Sequence, residues 1–378
     1  MFNCIFLSLV CQIYCMKTLK MVHVVYRHGA RSPLVNFPTN SHKNDWPVDP
    51  GMLTKVGMNM EYELGRFLKK RYMIDNHFLN KTYIQKEIYI RSSDTPRCLQ
   101  SAETQLAGLY PPTGYQVWHN LVNNWQPIPI HTVPNDQDSL LRSLRTPCPR
   151  LRELLTAQKK KVDYIKKEKE NKMLLSLLSN YTGMTVNFKE LWVVYDVLKC
   201  DIAQGFAFDS WLTPSLYDQI IKLGDWTFLN KFQGDEEFSR LVGGVLLYEI
   251  VSHMEKFAIN RHYKDLYKMN IYSGHDTTIL SLMAALNVDL SVPPFAASIM
   301  IELYQDVNNS LFVEIEYRNS TGNPFFLKLH DCDISCPLDH FLRLTQNRSS
   351  PVQLCLFPYT DRHTTISSEE GKDETNLY

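Results

Sequence analysis

One local pattern recurs three times along the chain: a short β-branched or aromatic run, then polar and charged residues, then a helical period. The first run is 21–26 (MVHVVY), followed by Arg27-His28-Gly29-Ala30-Arg31-Ser32-Pro33. The second is 87–90 (EIYI), followed by Arg91-Ser92-Ser93-Asp94 and a helical stretch over 95–109. The third is 269–272 (MNIY), followed by Ser273-Gly274-His275-Asp276-Thr277-Thr278 and the apolar 279–286, which suits a buried helix. Strand followed by helix, repeated, predicts an α/β fold with a parallel-rich sheet flanked by helices. Ligands bind such sheets outside the carboxyl ends of the strands. The pattern therefore delivers Arg27, His28, Arg31, Arg91, His275 and Asp276 toward one edge.

That residue set suits one chemistry. The planar guanidinium of arginine offers paired donors that match phosphoryl oxygens, and three arginines in one pocket repel each other unless an anion sits among them. A neutral imidazole can attack phosphorus and carry the phosphoryl group transiently. His28 stands between two arginines and ahead of Gly29, where the backbone can come close to a ligand. Asp276 is the available acid for the leaving oxygen, and His275 can donate to a phosphoryl oxygen. Taken singly, each feature has a blander reading. Arg-His-Gly occurs by chance, His275-Asp276 can serve as a helix N-cap, and Arg91 can be half of an ion pair. The weight lies in their conjunction at three strand ends.

Composition narrows the partners. Forty Lys+Arg against forty Asp+Glu give zero net charge, which argues against a nucleic-acid or anionic-membrane binder. Residues 1–15 carry no charged side chain and read as a secretory signal peptide. No later run reaches the ~18 apolar residues of a membrane span; the most apolar, 241–251, is broken by Gly243, Gly244 and Glu249. The polar end, 359–378, is expected to be disordered. Removing Cys4, Cys11 and Cys15 from the nine cysteines leaves Cys98, Cys148, Cys200, Cys332, Cys336 and Cys355. An even number suits an oxidising compartment. Cys332 and Cys336 suit a short-loop disulfide better than half of a zinc site, because no second close Cys or His pair accompanies them. N-x-Ser/Thr sequons begin at Asn80, Asn180, Asn308, Asn319 and Asn347, which together with the leader point to secretion.

At these residues the sequence resembles the histidine acid phosphatases, within them the prostatic and lysosomal acid phosphatases of animals. The resemblance is carried by 27–33 (RHGARSP), 91–102 (RSSDTPRCLQSA) and 272–278 (YSGHDTT), with 125–134 (WQPIPIHTVP), Cys148-Pro149-Arg150 and 292–296 (VPPFA) in support. It implies that His28 is a nucleophile forming a phosphohistidine and Asp276 the proton donor. It further implies phosphate binding by Arg27, Arg31, Arg91 and His275, with no metal or cofactor. It implies an α/β catalytic domain over 17–147 and 261–358, interrupted by a mainly helical cap over 148–260. It implies disulfides Cys332–Cys336 and Cys148–Cys355, and leaves Cys98 and Cys200 open between a mutual bridge and two free thiols, since Ser298 stands where relatives supply the partner of Cys200. Ala30 occupies a position that is often acidic in close relatives. Homodimers are common among relatives.

The resulting expectation is a secreted or lysosomal-lumen acid phosphatase acting on small-molecule or phosphoprotein monoesters. The alternatives are a phytase, sugar-phosphate or lysophospholipid phosphatase on the same fold, or a catalytically silent secreted binding protein or allergen.

Overall fold

A computed structural model describes residues 17–355 except 123, 262–265, 321 and 354. The signal peptide expected at 1–15 and the tail at 359–378 lie outside the described residues. Seven strands form one sheet: β1 (Thr18–Arg27), β2 (Ile88–Ser92), β3 (Met269–Gly274), β4 (Ser298–Gln305), β5 (Leu311–Arg318), β6 (Phe325–Phe326) and β7 (Cys336–Pro337). Their order is β2-β3-β1-β4-β5-β6, with β7 also pairing β5. The β2, β3 and β1 strands run parallel, and β4 and β5 continue antiparallel. The three runs read from the sequence are thus the parallel part of the sheet, and the antiparallel extension follows them in the chain.

The period of two in β1 sorts its side chains onto two layers. Val22, Val24 and Tyr26 face helices α1 (Lys55–Lys69) and α2 (Pro96–Leu109), where Leu64, Leu68, Ala102 and Leu106 complete one core. Met21 and Val25 face the other way. A register shift between Leu19 and Met21 returns Leu19 to the first face despite its odd number, as a bulge requires.

Between β2 and β3 the chain is helical: α3 (Pro149–Lys159), α4 (Val162–Glu170), α5 (Lys172–Thr182), α6 (Leu191–Gln204), α7 (Pro214–Asn230) and α8 (Glu236–Ile259). Helices α5 to α7 bury their own cluster around Leu178, Val194, Val197 and Ile220. Helix α8 is different. Leu247, Ile250, Val251 and Met254 pack into the second sheet core with Tyr272, beside Ile279 and Leu282 of α9 (Asp276–Leu286). So α8 covers the sheet, although the segment expected as a cap runs to residue 260. The last helix, α10 (Leu338–Thr345), inserts Phe341 into the same core.

Two of these placements make the site. The helix after β1 lies on one face of the sheet and the helix after β3 lies on the other, although β1 and β3 are neighbours. Chain leaving adjacent strands in opposite directions opens a crevice at their carboxyl ends. That crevice is where the conjunction of motifs falls.

Disulfides join Cys148 to Cys355 and Cys332 to Cys336. His340 approaches the second pair at 3.8 Å from Cys332 Sγ, but both sulfurs are bonded to each other and neither is a thiolate for zinc. Cys98 and Cys200 are buried and unpaired. Among the described residues no helix is long and apolar enough to cross a membrane. All five sequon asparagines are exposed.

Candidate active site

His28 emerges from β1 with its backbone N–H donating to Gly274 O of β3 at 3.0 Å, so the two loops are locked together. Its ring is buried at 2% exposure. The neighbouring Gly29 is held against α1: a Cβ there would meet Gly57 O at 2.3 Å. Only glycine allows the loop to sit this close to the helix. The Nδ1 atom of His28 lies 2.9 Å from Gly29 O. A carbonyl can only accept, so Nδ1 carries the proton and Nε2 keeps its lone pair. Burial, then Arg97, Arg27, His275 and Arg31, hold this imidazole well below its usual pKa. Burial and the neighbouring cations therefore favour the neutral form of the ring.

Three arginines surround it. Arg27 stacks on Phe295 with its guanidinium carbon 4.1 Å from the ring centroid, donates to Pro293 O at 2.7 Å, and meets Asp276 Oδ2 at 3.0 Å. Arg31 is held by Asp196 of α6 through two bonds, of 2.8 and 3.1 Å. The third is Arg97. It stands in the first turn of α2, and its charge is foremost among those that lower both His28 and His275.

The expected third arginine, Arg91, is not in this group. It shares a face of β2 with Tyr89, and its Nη2 donates to Asp138 Oδ1 at 2.9 Å, on the side of Glu249. The register sets Arg91 level with Tyr272 and Val25, two residues short of Arg27 and Gly274 at the strand ends where the crevice opens. Sequence reasoning missed Arg97 by following the strand alone. The signal was Thr95-Pro96: proline at the first helical position marks a helix start, and a side chain in that first turn projects with the N–H groups toward an anion.

His275 caps α9, and Asp276 is the first residue of that helix. The His275 N–H donates to Thr278 Oγ1 at 3.0 Å, and Thr278 Oγ1 donates in turn to Leu141 O at 2.8 Å. Its Nε2 lies 2.9 Å from Ser93 Oγ and 3.3 Å from Arg142 Nη1. Burial, then Arg97, Arg142, Arg31 and Arg27, lower its pKa. The rings of His28 and His275 meet edge-on at 5.6 Å. Asp276 Oδ1 accepts the Thr277 N–H at 2.7 Å, leaving Oδ2 toward Arg27. The two unpaired thiols border the site. Cys98 Sγ lies 3.7 Å from His275 Nε2, and Arg31 Nη1 approaches Cys200 Sγ at 3.5 Å. Ala30 packs in an apolar cluster with Cys200 and Phe295.

Above this group opens a cleft of about 480 Å³, with Arg97, Arg142, His275 and Trp192 in its walls. The first turns of α2 and α9 line this cleft through Pro96, Arg97 and Thr277, so the positive ends of two helix dipoles add to the side chains in favouring a compact anion. Neutral histidine, convergent arginines and one carboxylic acid at the rim can together bind a phosphoryl group, attack it, and protonate what leaves.

Comparison with known proteins identifies the family. Residues 18–329 match the model of the histidine phosphatase superfamily (branch 2). The chain is 39% identical to lysosomal acid phosphatase from Bos taurus over 336 residues, covering 87% of this chain and 78% of that protein. It is 40% identical to prostatic acid phosphatase from Homo sapiens over 335 residues, covering 87% and 85%. Among solved structures, Hafnia alvei phytase in its apo form superimposes with a TM-score of 0.68 at 17% identity, covering 89% of this chain and 98% of that one; this likeness bears on the fold alone. The chain therefore belongs to the histidine phosphatase superfamily (branch 2), among its acid phosphatases, the hydrolases of phosphate monoesters.

Proposed function

We propose that this acid phosphatase enters the secretory pathway and works without metal, through a covalent phosphohistidine on His28 with Asp276 as general acid. The observation that carries the reading is the hydrogen bond of His28: Nδ1 is committed to Gly29 O, which leaves the Nε2 lone pair to attack, on a ring that feels the charges of Arg97, Arg27 and Arg31. In the first step Nε2 bonds to phosphorus, the bond to the alcohol oxygen breaks, and Asp276 gives that oxygen its proton. In the second, Asp276 takes a proton from water, which attacks phosphorus, and the P–N bond breaks to release phosphate. The arginines and His275 neutralise charge on the equatorial oxygens throughout.

Acidic conditions suit both partners. Asp276 must be protonated to act as an acid, and burial among arginines keeps His28 neutral there. Helix α6, through Trp192, Asp196 and Lys199, and α7, through Thr227 and Phe228, line the chamber beside Asp276, which supports a role for these helices as the cap of the site. Five exposed sequon asparagines and two disulfides support passage through an oxidising compartment. The test is rapid quench of turnover on an aryl phosphate with EDTA present, followed by peptide mapping under non-acidic conditions. Phosphate on His28 is the expected result. Loss of turnover on chelation, or phosphate mapped to another residue, would reject the mechanism.

A further inference from the structure

Between the His28 loop and α1 the chain crosses to the helical cap in one irregular segment, 33–52. Both ends of that segment form part of the substrate cleft: Leu34, Val35, Pro50, Gly51 and Met52 line the 480 Å³ space. Its middle leans on the cap and on the connection between α6 and α7. Phe37 is buried in the cap core, and Asp209 accepts both the backbone N–H and the hydroxyl of Ser41. His42 closes the contact. Its Nδ1 lies 2.9 Å from Asp45 Oδ2, its Nε2 lies 3.0 Å from Ala207 O, and its ring stacks on Phe206 at 4.6 Å.

That geometry selects a protonation state. An ionised carboxylate and a backbone carbonyl can only accept, so both ring nitrogens must donate. Only the imidazolium has two N–H groups; either neutral tautomer sets a lone pair against an oxygen. The surrounding charge agrees. Asp45 comes from the same segment, Asp209 from the connection after α6, and Asp201 from α6 itself, where it reaches Asn40 Nδ2 at 3.4 Å. Asn40 Oδ1 in turn accepts the His42 N–H at 2.8 Å, and Lys43 Nζ is bonded to Pro38 O at 2.8 Å. The bond to Asp45 first, then that to Ala207 O and the charge of Asp201, raise the pKa of His42 against the opposing effect of burial. Asp201 is pushed up to about 7, by burial first. Both groups hold their protons more tightly in the folded chain, so what they contribute is present in acid and lost as pH rises through neutrality. Asp201, once ionised, helps His42 keep its proton, so His42 is the later of the two to let go.

We propose that His42 is a pH-sensitive clasp: as an imidazolium it ties the 33–52 segment to the connection after α6 and holds that wall of the cleft, and on losing its proton it lets the wall loosen. The inference does not depend on which residue carries the phosphoryl group. It is tested on the full mature chain by amide exchange of the peptide over 36–48, corrected for intrinsic rates, at pH 5 and pH 8. Exchange is expected to be roughly three- to fivefold faster at pH 8, as loss of a partly exposed charged bond allows. His42→Gln, which has no titrating proton, should exchange at the faster rate at both pH values. Exchange of the histidine C2–H, read by mass spectrometry, gives the pKa of His42 itself, expected above about 6.5 in wild type and lower in Asp45→Asn. In turnover of phenyl phosphate at pH 5, His42→Gln should raise KM roughly two- to threefold with kcat unchanged, and at pH 8 the variant and wild type should agree. A His42 pKa at or below about 6.5 would overturn the proposal, as would a pH difference in exchange that survives in His42→Gln. So would KM values that stay equal at pH 5 while exchange changes, because the clasp would then not reach the cleft.

Discussion

His23 stands within β1 and His28 just past its end, and both are buried imidazoles pushed toward the neutral form. Their surroundings differ. His23 faces α8, where its Nε2 lies 3.1 Å from His253 Nδ1 and the rings stack at 5.4 Å; Asn270 Nδ2 adds a contact at 3.4 Å. Burial lowers His23 first and His253 second, with no arginine among the causes. His28 meets its partner histidine edge-on without a bond, and arginines follow burial as the main cause. Burial, helped by a neighbouring imidazole, therefore favours a neutral histidine without any arginine. Convergent cations add something burial does not, a place beside the ring where an anion is attracted.

The sharpest way to break this comparison is to truncate both histidines. His28→Ala is expected to lower kcat by roughly 10³-fold or more with little change in Tm, since it removes the attacking atom. His23→Gln should keep kcat within about threefold while costing about 1–3 kcal/mol of stability, as loss of a buried polar contact does. Steady-state kinetics and urea melts read both. Comparable activity losses in the two variants would erase the distinction.

The two arginines of the β2 segment extend the comparison with a smaller effect. Arg97→Ala is expected to cost about 10²- to 10³-fold in kcat/KM and to weaken inhibition by inorganic phosphate, as removal of a transition-state donor does. Arg91→Ala should leave phosphate inhibition near wild type. Its cost falls on stability, about 3 kcal/mol, because Asp138 is fully buried and loses its partner. Reversed roles would mean that the strand end, and not the helix start, supplies the third arginine.

That pair also shows how far the chain could be read before its fold was known. The three runs at 21–26, 87–90 and 269–272 carried their strands openly, because buried parallel strands are apolar on both faces. Arg27, His28, His275 and Asp276 followed, since each sits at a strand end or at the helix start directly after it. Arg91 and Arg97 were separable only by how far along the sheet Arg91 sits and by the turn through Thr95-Pro96, and that level depends on a register that neighbouring strands decide. Asp196 lies on α6 and Lys231 just past the end of α7, both reaching the site from far along the chain. Nothing local marks a helix face as turned toward a crevice made elsewhere. The placement of α8 was equally hidden: its apolar residues fit a cap helix and a sheet-covering helix alike.

The finest distinction between the two histidine pairs lies in how each couples pH to stability. His253 is lowered to about 4 by burial, then Lys256, and His23 lies well below 6.5. An unfolded histidine titrates near 6.5. Between these limits the unfolded chain binds more protons than the folded one, so stability is fully present above about 6.5 and falls as pH drops toward 4. Glu249, whose carboxyl burial pushes up, opposes part of this, since it holds its proton better when folded. His253 is only partly buried, so the contribution of the pair is discounted to on the order of 1–2 kcal/mol. His28 and His275 are lowered as well and act with the same sign. They differ in what relieves them. A bound phosphate supplies the counter-charge their pocket lacks, so saturating phosphate should return their share of the acid loss. It should do nothing for His23 and His253, which have no anion site beside them. Urea midpoints from pH 7 to 4.5, with and without phosphate, separate the two. The His23→Gln/His253→Gln double variant is expected to flatten the pH slope that phosphate leaves behind. An unchanged slope in that variant would show that the acid sensitivity belongs to the catalytic pair alone.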